Sequence, residues 1–176
     1  MEKKEIAIPA ILKVGADTLS QIGVYLSEKN ISKVVIYFGN GLINLFGDKV
    51  MNGLTEANIT VLHYEELDTV RIEDIMTMAF SIPNDTQAIL GIGGGKVIDA
   101  AKYMCYLRKL CFISVPTSAS SDGFCSSTAS LIDTTLGVSV YFSSYIPKLN
   151  IALSTLLRRF ISQSTKYLFA RLEISS

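Results

Sequence analysis

The sequence has 176 residues, of which 49% are hydrophobic and 18% are charged. This length suits one domain, and so apolar a composition excludes a disordered chain. Because the 16 basic and 16 acidic side chains cancel, and because no apolar run approaches the roughly 18 residues that span a bilayer, we expect neither nucleic acid nor a membrane as a partner.

Two features of the sequence indicate a cytoplasmic protein. Two lysines precede an apolar stretch at the start, as in a signal peptide, but the stretch is short, contains Pro9 and ends at Lys13, so it predicts a strand. The cysteines Cys105, Cys111 and Cys125 are odd in number and lack CxxC spacing. Neither a disulfide framework nor a structural zinc site is therefore indicated.

Strands and helices alternate along the first two thirds of the chain. Short apolar, β-branched runs predict five strands, at residues 6–12, 33–38, 58–64, 86–91 and 112–116. Between them, apolar residues at helical spacing predict four helices. Their apolar faces are Leu19, Ile22 and Leu26; Leu42, Phe46, Val50 and Leu54; Ile72, Ile75, Met76 and Ala79; and Val97, Ala101, Met104 and Cys105. This alternation predicts a doubly wound α/β domain with a mainly parallel, Rossmann-like sheet.

The alternation stops after Pro116. Residues 117–130, TSASSDGFCSSTAS, have the small hydroxylated composition of a loop. Residues 137–153 predict a short antiparallel pair, and residues 155–176 predict a final helix with a polar tail. We expect one nucleotide-binding domain over residues 1–176, with its alternating core in 1–116, a loop and hairpin in 117–155, and a terminal helix and tail in 156–176.

A glycine-rich turn joins the fourth predicted strand to the next helix, in LGIGGGKVIDAAKY, residues 90–103. Glycine adds no packing there, but a backbone without Cβ atoms lets a pyrophosphate approach the first amides of the helix. Lys96 could add a point charge. Asp99, in the first turn of a helix predicted over 97–107, either complements the helix dipole or contacts a ligand hydroxyl. The turn matches neither GxGxxG nor the P-loop pattern, so a purely structural connection remains the alternative.

A second polar segment, SVPTSASSDGFCSS at residues 114–127, follows the fifth predicted strand and so opens on the same sheet edge. Thr117, Ser118 and Ser121 offer hydroxyls to a ribose or base, and Asp122 offers a carboxylate on a tight turn. A solvated serine-rich turn is the alternative interpretation.

Together, GIGGGKVIDAAKY (91–103) and FISVPTSASSDGFCSSTASL (112–131) resemble the family of glycerol-1-phosphate dehydrogenases, glycerol dehydrogenases, iron-containing alcohol dehydrogenases and, more distantly, dehydroquinate synthases. The best resemblance is to the glycerol-1-phosphate dehydrogenase branch. It covers roughly the whole chain, which corresponds to the family's N-terminal, nucleotide-binding half.

The resemblance implies a site for NAD or NADP and for a catalytic zinc or other divalent ion. Asp99 would lie near the nicotinamide, and Asp122 would be one carboxylate ligand of the metal. The other implied contacts are with the cofactor pyrophosphate, from Gly93, Gly94, Gly95 and Lys96, and with the rest of the dinucleotide, from Thr117, Ser118 and Ser121.

The sequence departs from the family in its later part. The family's remaining metal ligands are two histidines on a C-terminal helical domain, whereas this chain has one histidine, His63, near the end of an early strand. The acids and glycines expected near residues 150–157 and 167–176 are also replaced. We therefore expect the helical domain to be absent and the chain to be a truncated cofactor-binding half, inactive alone. A non-catalytic dinucleotide-binding module and a decayed remnant without a ligand are the alternatives.

The resemblance also implies the partners. In the complete enzyme the substrate would be a small polyol phosphate, interconverted between dihydroxyacetone phosphate and glycerol 1-phosphate. The protein partner is left open between a second copy, forming a homo-oligomer, and a separate helical domain. The turn Gly39-Asn40-Gly41 could hold the adenosine side, but no acid directly follows its strand to reject a 2′-phosphate, so NAD and NADP both remain open.

Overall fold

The structure, a computed structural model, describes residues 11–14, 18–118, 128–143 and 150–154, with the side chains of 18–118 and 128–141. These residues form eight strands and four helices. In chain order they are β1 (Ile11–Val14), α1 (Ile22–Ser27), β2 (Lys33–Gly39), α2 (Leu42–Glu56), β3 (Thr60–Leu67), α3 (Ile72–Ser81), β4 (Ala88–Gly93), α4 (Gly95–Arg108), β5 (Cys111–Pro116), β6 (Thr128–Asp133), β7 (Val138–Ser143) and β8 (Asn150–Ser154).

Six strands form one parallel sheet in the order β1-β8-β5-β4-β2-β3. Helices α1 and α2 pack on one face of it, and α3 and α4 pack on the other. This arrangement confirms the predicted doubly wound α/β fold. Part of the first predicted strand, residues 6–10, and the predicted terminal helix lie outside the described residues.

Both faces of the central strands are buried, which explains their uninterrupted apolar sequence. On β2, Val34, Ile36 and Phe38 face the core beneath α1 and α2, whereas Val35 and Tyr37 face α3 and α4. All five are at most 1% exposed. A run with no polar alternate residue is the pattern expected of a strand covered by helices on both sides.

The predicted antiparallel pair within residues 137–153 is wrong in its partners. The observed hairpin pairs β6 with β7, so a strand begins at Thr128, inside the segment predicted as a loop. Its turn is closed by Asp133, whose Oδ1 accepts hydrogen bonds from the amides of Thr135 and Leu136 at 2.9 and 3.0 Å, and by Gly137 at φ +66°. Strand β8 instead joins the parallel sheet between β1 and β5.

Arg108, at the end of α4, ties that helix to the end of α3. Its Nη1 donates to the carbonyl oxygens of Ala79 and Ile82, both at 2.8 Å, and its Nη2 donates to Asn84 Oδ1 at 3.1 Å. We expect Arg108→Met to lower the free energy of unfolding by about 2 kcal/mol, because carbonyls at a helix end lose a charged donor. Urea denaturation measures this loss.

The matched control is Lys109→Met, at the exposed neighbouring position. It is expected to change the free energy of unfolding by less than about 0.5 kcal/mol. Equal losses in the two variants would contradict the role given to Arg108.

Within the part of the chain that the structure describes, no helix is long and apolar enough to cross a membrane.

Candidate functional site

The carboxyl ends of β2 and β4 lie side by side and define a crevice. From β2 the chain continues through α2 to β3, and from β4 it continues through α4 to β5 on the opposite side. In open parallel sheets, ligands bind where the connections diverge in this way. The ends of these two strands are in close contact, since a Cβ built on Gly93, the last residue of β4, would lie 3.3 Å from the amide nitrogen of Gly39, the last residue of β2.

Two glycines of β4 are required by packing. A Cβ on Gly91 would lie 3.0 Å from the Ala101 Cβ, and one on Gly93 would lie 3.2 Å from the Val97 Cβ. Bare backbone at these positions therefore lets α4 pack closely against the sheet. From the sequence, the absence of a side chain at Gly93 was interpreted as space for a phosphate. In the structure, the close packing of α4 explains this glycine whether or not a ligand binds.

Gly94 is different, because a side chain there would not clash. It is the N-cap of α4, with φ −83° and ψ −172°, and its Cβ would lie 3.6 Å from Ser118 Oγ, which is ordinary contact. A larger side chain would extend between the glycine turn and the turn after β5. The packing of the core therefore does not require a glycine at position 94.

Helix α4 presents its first amides to this space. The helix begins at Gly95, two residues before the predicted start, and Ile98 N donates to Gly94 O at 3.2 Å as the first intrahelical bond. The amides of Gly95, Lys96 and Val97 precede that bond, so helix geometry gives them no intrahelical acceptor. Gly94 has no side chain to cap them. Such a helix start favours an anion, and the exposed Lys96 adds positive charge.

The turn after β5 adjoins the glycine turn, as the sequence predicted. Thr117 N donates to Gly93 O at 3.0 Å, and this bond joins the turn after β5 to the glycine turn after β4. Thr117 is half-buried and Ser118 is exposed. Ser121 and Asp122 lie outside the described residues.

Asp99 does not lie in the first turn of the helix, contrary to the prediction. It is the fifth residue of α4, because the helix starts at Gly95. Its Oδ2 accepts a hydrogen bond from Ser130 N at 3.2 Å, and its Oδ1 lies 3.3 Å from Lys102 Nζ. The carboxylate therefore connects α4 to β6.

Lys102 is a residue of this region that the sequence interpretation missed. Its side chain is 0% exposed, and its Nζ donates to the carbonyl oxygen of Thr128 at 2.8 Å as well as to Asp99 at 3.3 Å. Together Asp99 and Lys102 form a clamp that holds β6, the strand that begins at Thr128, against α4. The i, i+3 spacing of the two residues is compatible with such a pair, but sequence alone does not indicate that it is buried.

His63 lies on β3, apart from the turns that follow β4 and β5. Its Nε2 is 3.1 Å from Glu65 Oε1, and its ring meets that of Tyr37 edge-on. The two rings line a cavity of about 300 Å³ with residues of β3 and the end of α3. Within residues 18–118 and 128–141, no three His, Cys, Asp or Glu side chains are grouped so as to hold a metal ion.

The described cysteines are not suited to nucleophilic chemistry. Burial raises the pKa of the Cys111 thiol to about 12, and burial raises the pKa of Cys105 well above its ordinary value. Both thiols therefore stay protonated at neutral pH, and the thiolate is the reactive form.

Comparison with known proteins gives a consistent result. A family model described as iron-containing alcohol dehydrogenase matches residues 13–148. A glycerol-1-phosphate dehydrogenase [NAD(P)+] of Saccharolobus islandicus is 36% identical over 129 residues, which are 72% of this chain and 36% of that protein. One of Geobacillus thermodenitrificans is 33% identical over 134 residues, 73% of this chain and 33% of that protein.

Solved structures share the fold. A glycerol dehydrogenase from Schizosaccharomyces pombe has a TM-score of 0.73 at 24% identity, over 88% of this chain and 39% of its own. A 1,3-propanediol oxidoreductase has a TM-score of 0.77 at 16% identity, over 87% of this chain and 46% of its own. The chain spans about a third of the length of the curated relatives it matches.

Proposed function

We propose that this chain, which belongs to the iron-containing alcohol dehydrogenase family, is the dinucleotide-binding part of an oxidoreductase resembling glycerol-1-phosphate dehydrogenase. The relatives with 33% and 36% identity are named glycerol-1-phosphate dehydrogenases, which supports a polyol phosphate as the substrate class. The substrate of the complete enzyme would be a small polyol phosphate, glycerol 1-phosphate or dihydroxyacetone phosphate, and its setting would be the cytoplasm.

The observation that carries the proposal is the start of α4, with Gly94 as its N-cap, beside the turn after β5. A pyrophosphate there would accept hydrogen bonds from the Gly95 and Lys96 amides and would be drawn by the Lys96 charge. The nicotinamide half would extend toward Thr117, Ser118 and Ser121, and the adenosine half would extend across β2 toward the turn at residues 39–41. Gly93 would contribute backbone only.

We assign Asp99 a positioning role in this scheme. Its carboxylate is bonded to Ser130 N and lies against Lys102, so it acts on the site by fixing β6. Since β6 begins at Thr128, the clamp fixes the position at which the chain continues after the serine-rich segment.

We propose Asp122 as one ligand of a zinc or other divalent ion, whose chemistry when bound is to polarise the substrate oxygen. His63 does not fit as a second ligand, because it lies on β3 against Glu65 and Tyr37. Hydride transfer would then need groups from outside this single chain, in a helical domain or a second copy. We expect the chain alone to bind cofactor without turnover. Robust zinc-dependent oxidation of glycerol 1-phosphate by the chain alone would contradict that expectation.

Cofactor titration tests the central part of the proposal. Nicotinamide fluorescence of NADH and NADPH is followed while the chain is added, and saturable binding of at least one of them is expected. Reduced nicotinamide mononucleotide is the matched control ligand, since it lacks the pyrophosphate and adenosine and should bind far more weakly. Binding of neither dinucleotide at millimolar concentration, or equal binding of the mononucleotide, would contradict the proposal.

A further inference from the structure

Glu66 occupies the start of the second helix at the crevice. Helix α2 begins after Gly41, whose φ of +75° and lack of a side chain leave the helix without a cap of its own. The amide of Ile43 instead donates to Glu66 Oε1 at 3.1 Å. A carboxylate from the neighbouring strand thus fills the place where an anion would be favoured.

The position of Glu66 relates it directly to the crevice. Glu66 is in register with Phe38, one residue before the Gly39 that borders the glycine turn. It is half-buried, and it lies on the face of the sheet that α2 covers. The two helix starts at the crevice therefore differ in charge. Helix α4 follows a glycine that offers no side-chain cap, whereas the start of α2 is bonded to a carboxylate.

The proposed path of the cofactor brings its adenosine ribose to this carboxylate. A pyrophosphate at α4 leaves one sugar to cross β2, and the turn at residues 39–41 is the next backbone along that path. A Cβ built on Gly41 would meet no atom within 4 Å among the described residues, so there is room beside the turn. Carboxylates at this kind of edge accept ribose hydroxyls in NAD sites.

We propose that Glu66 makes this site selective for NAD over NADP, an inference that rests on the proposed function. One oxygen, Oε1, accepts the Ile43 amide, and the other, Oε2, accepts a ribose hydroxyl. A 2′-phosphate would bring about two further negative charges against the carboxylate and would find the helix start already filled. The sequence left the choice of cofactor open because no acid follows β2, and the structure supplies one from β3.

Charge removal at Glu66 tests the proposal. Glu66→Gln keeps an acceptor for the Ile43 amide and deletes the charge. Wild type should bind NADH more tightly than NADPH, and E66Q should narrow that ratio about tenfold, the size expected for one nearby like charge in a partly solvated site. Fluorescence titration of both cofactors gives the ratio, which cancels any general loss of stability.

Glu65→Gln is the matched control. Glu65 is the adjacent residue on β3, in register with Tyr37 and paired with His63. Because successive residues of a strand face opposite sides of the sheet, E65Q removes the same charge from the face away from α2. The NADH to NADPH ratio should stay within about twofold of wild type, since a charge on the far side is better screened.

A second measurement needs no variant. Raising the salt from about 50 mM to about 500 mM screens charge repulsion, so it should reduce the preference of wild type for NADH. A wild type that prefers NADPH, a ratio unchanged in E66Q, or a preference unaffected by salt would overturn the role of Glu66 while leaving the proposed function intact. Binding of neither cofactor would overturn both.

Discussion

Gly94→Val should weaken NADH binding by at least about 100-fold, the loss of roughly two charge-assisted hydrogen bonds to the phosphates. The backbone at Gly94, with φ −83°, suits any residue, and a Cβ meets only Ser118 Oγ at 3.6 Å. The branched methyls would therefore fill the space proposed for the pyrophosphate without straining the fold. Titration of cofactor fluorescence, with thermal unfolding measured on the same samples, checks both parts of this result.

Gly93→Ala is the control that separates ligand space from packing space. Its Cβ would lie 3.2 Å from the Val97 Cβ and 3.3 Å from Gly39 N, so the neighbouring atoms must shift by a few tenths of an ångström to admit one methyl. We expect a loss of about 1–3 kcal/mol in the free energy of unfolding. Normal NADH binding by G94V, or equal destabilisation by the two variants, would contradict the assignment of the turn.

Lys102→Met should lower the free energy of unfolding by about 3 kcal/mol, because it leaves the Asp99 carboxylate without its buried cation. The Lys102 side chain is 0% exposed and that of Asp99 is 17% exposed, so water compensates little. The Thr128 carbonyl also loses its donor. Chemical denaturation measures the change.

Two variants define the origin of that loss. Lys96→Met, at an exposed position of the same helix, should cost less than about 0.5 kcal/mol. The double variant K102M with Asp99→Leu should recover part of the loss, because it removes both charges rather than one. A single K102M variant as stable as wild type would show that the pair does not hold β6.

The order of strands and helices was predictable because each buried strand has two apolar faces and each helix has an apolar stripe. The pairing of β6 with β7 in the hairpin was not predictable. Residues 150–154 are apolar enough for a strand, but their sequence does not say whether they pair with a nearby strand or with the distant β1 and β5. The turn signal was present at Asp133 and Gly137, one strand earlier than expected.

The proximity of the two segments of the candidate site was predictable, because the residues of each segment are adjacent in sequence. Gly94 and Gly95 stand together in the chain, and Thr117 and Ser118 follow the neighbouring strand, so the rule for parallel sheets brings them to one edge. Lys102 and Glu66 act on partners 26 and 23 residues away. In the sequence alone, Lys102 and Glu66 look like ordinary surface residues. Only the fold shows that Lys102 is buried and that Glu66, on β3, accepts a hydrogen bond from the start of α2.

The central claim is that the amides at the start of α4 hold the cofactor pyrophosphate, and an amide correlation spectrum of the isotope-labelled chain during NADH titration tests it most directly. The resonances of Gly94, Gly95 and Lys96 should shift together along one saturation curve, and G94V should abolish those shifts. Saturable binding that leaves these three amides unmoved, and instead shifts residues around the Tyr37 and His63 cavity, would contradict the account.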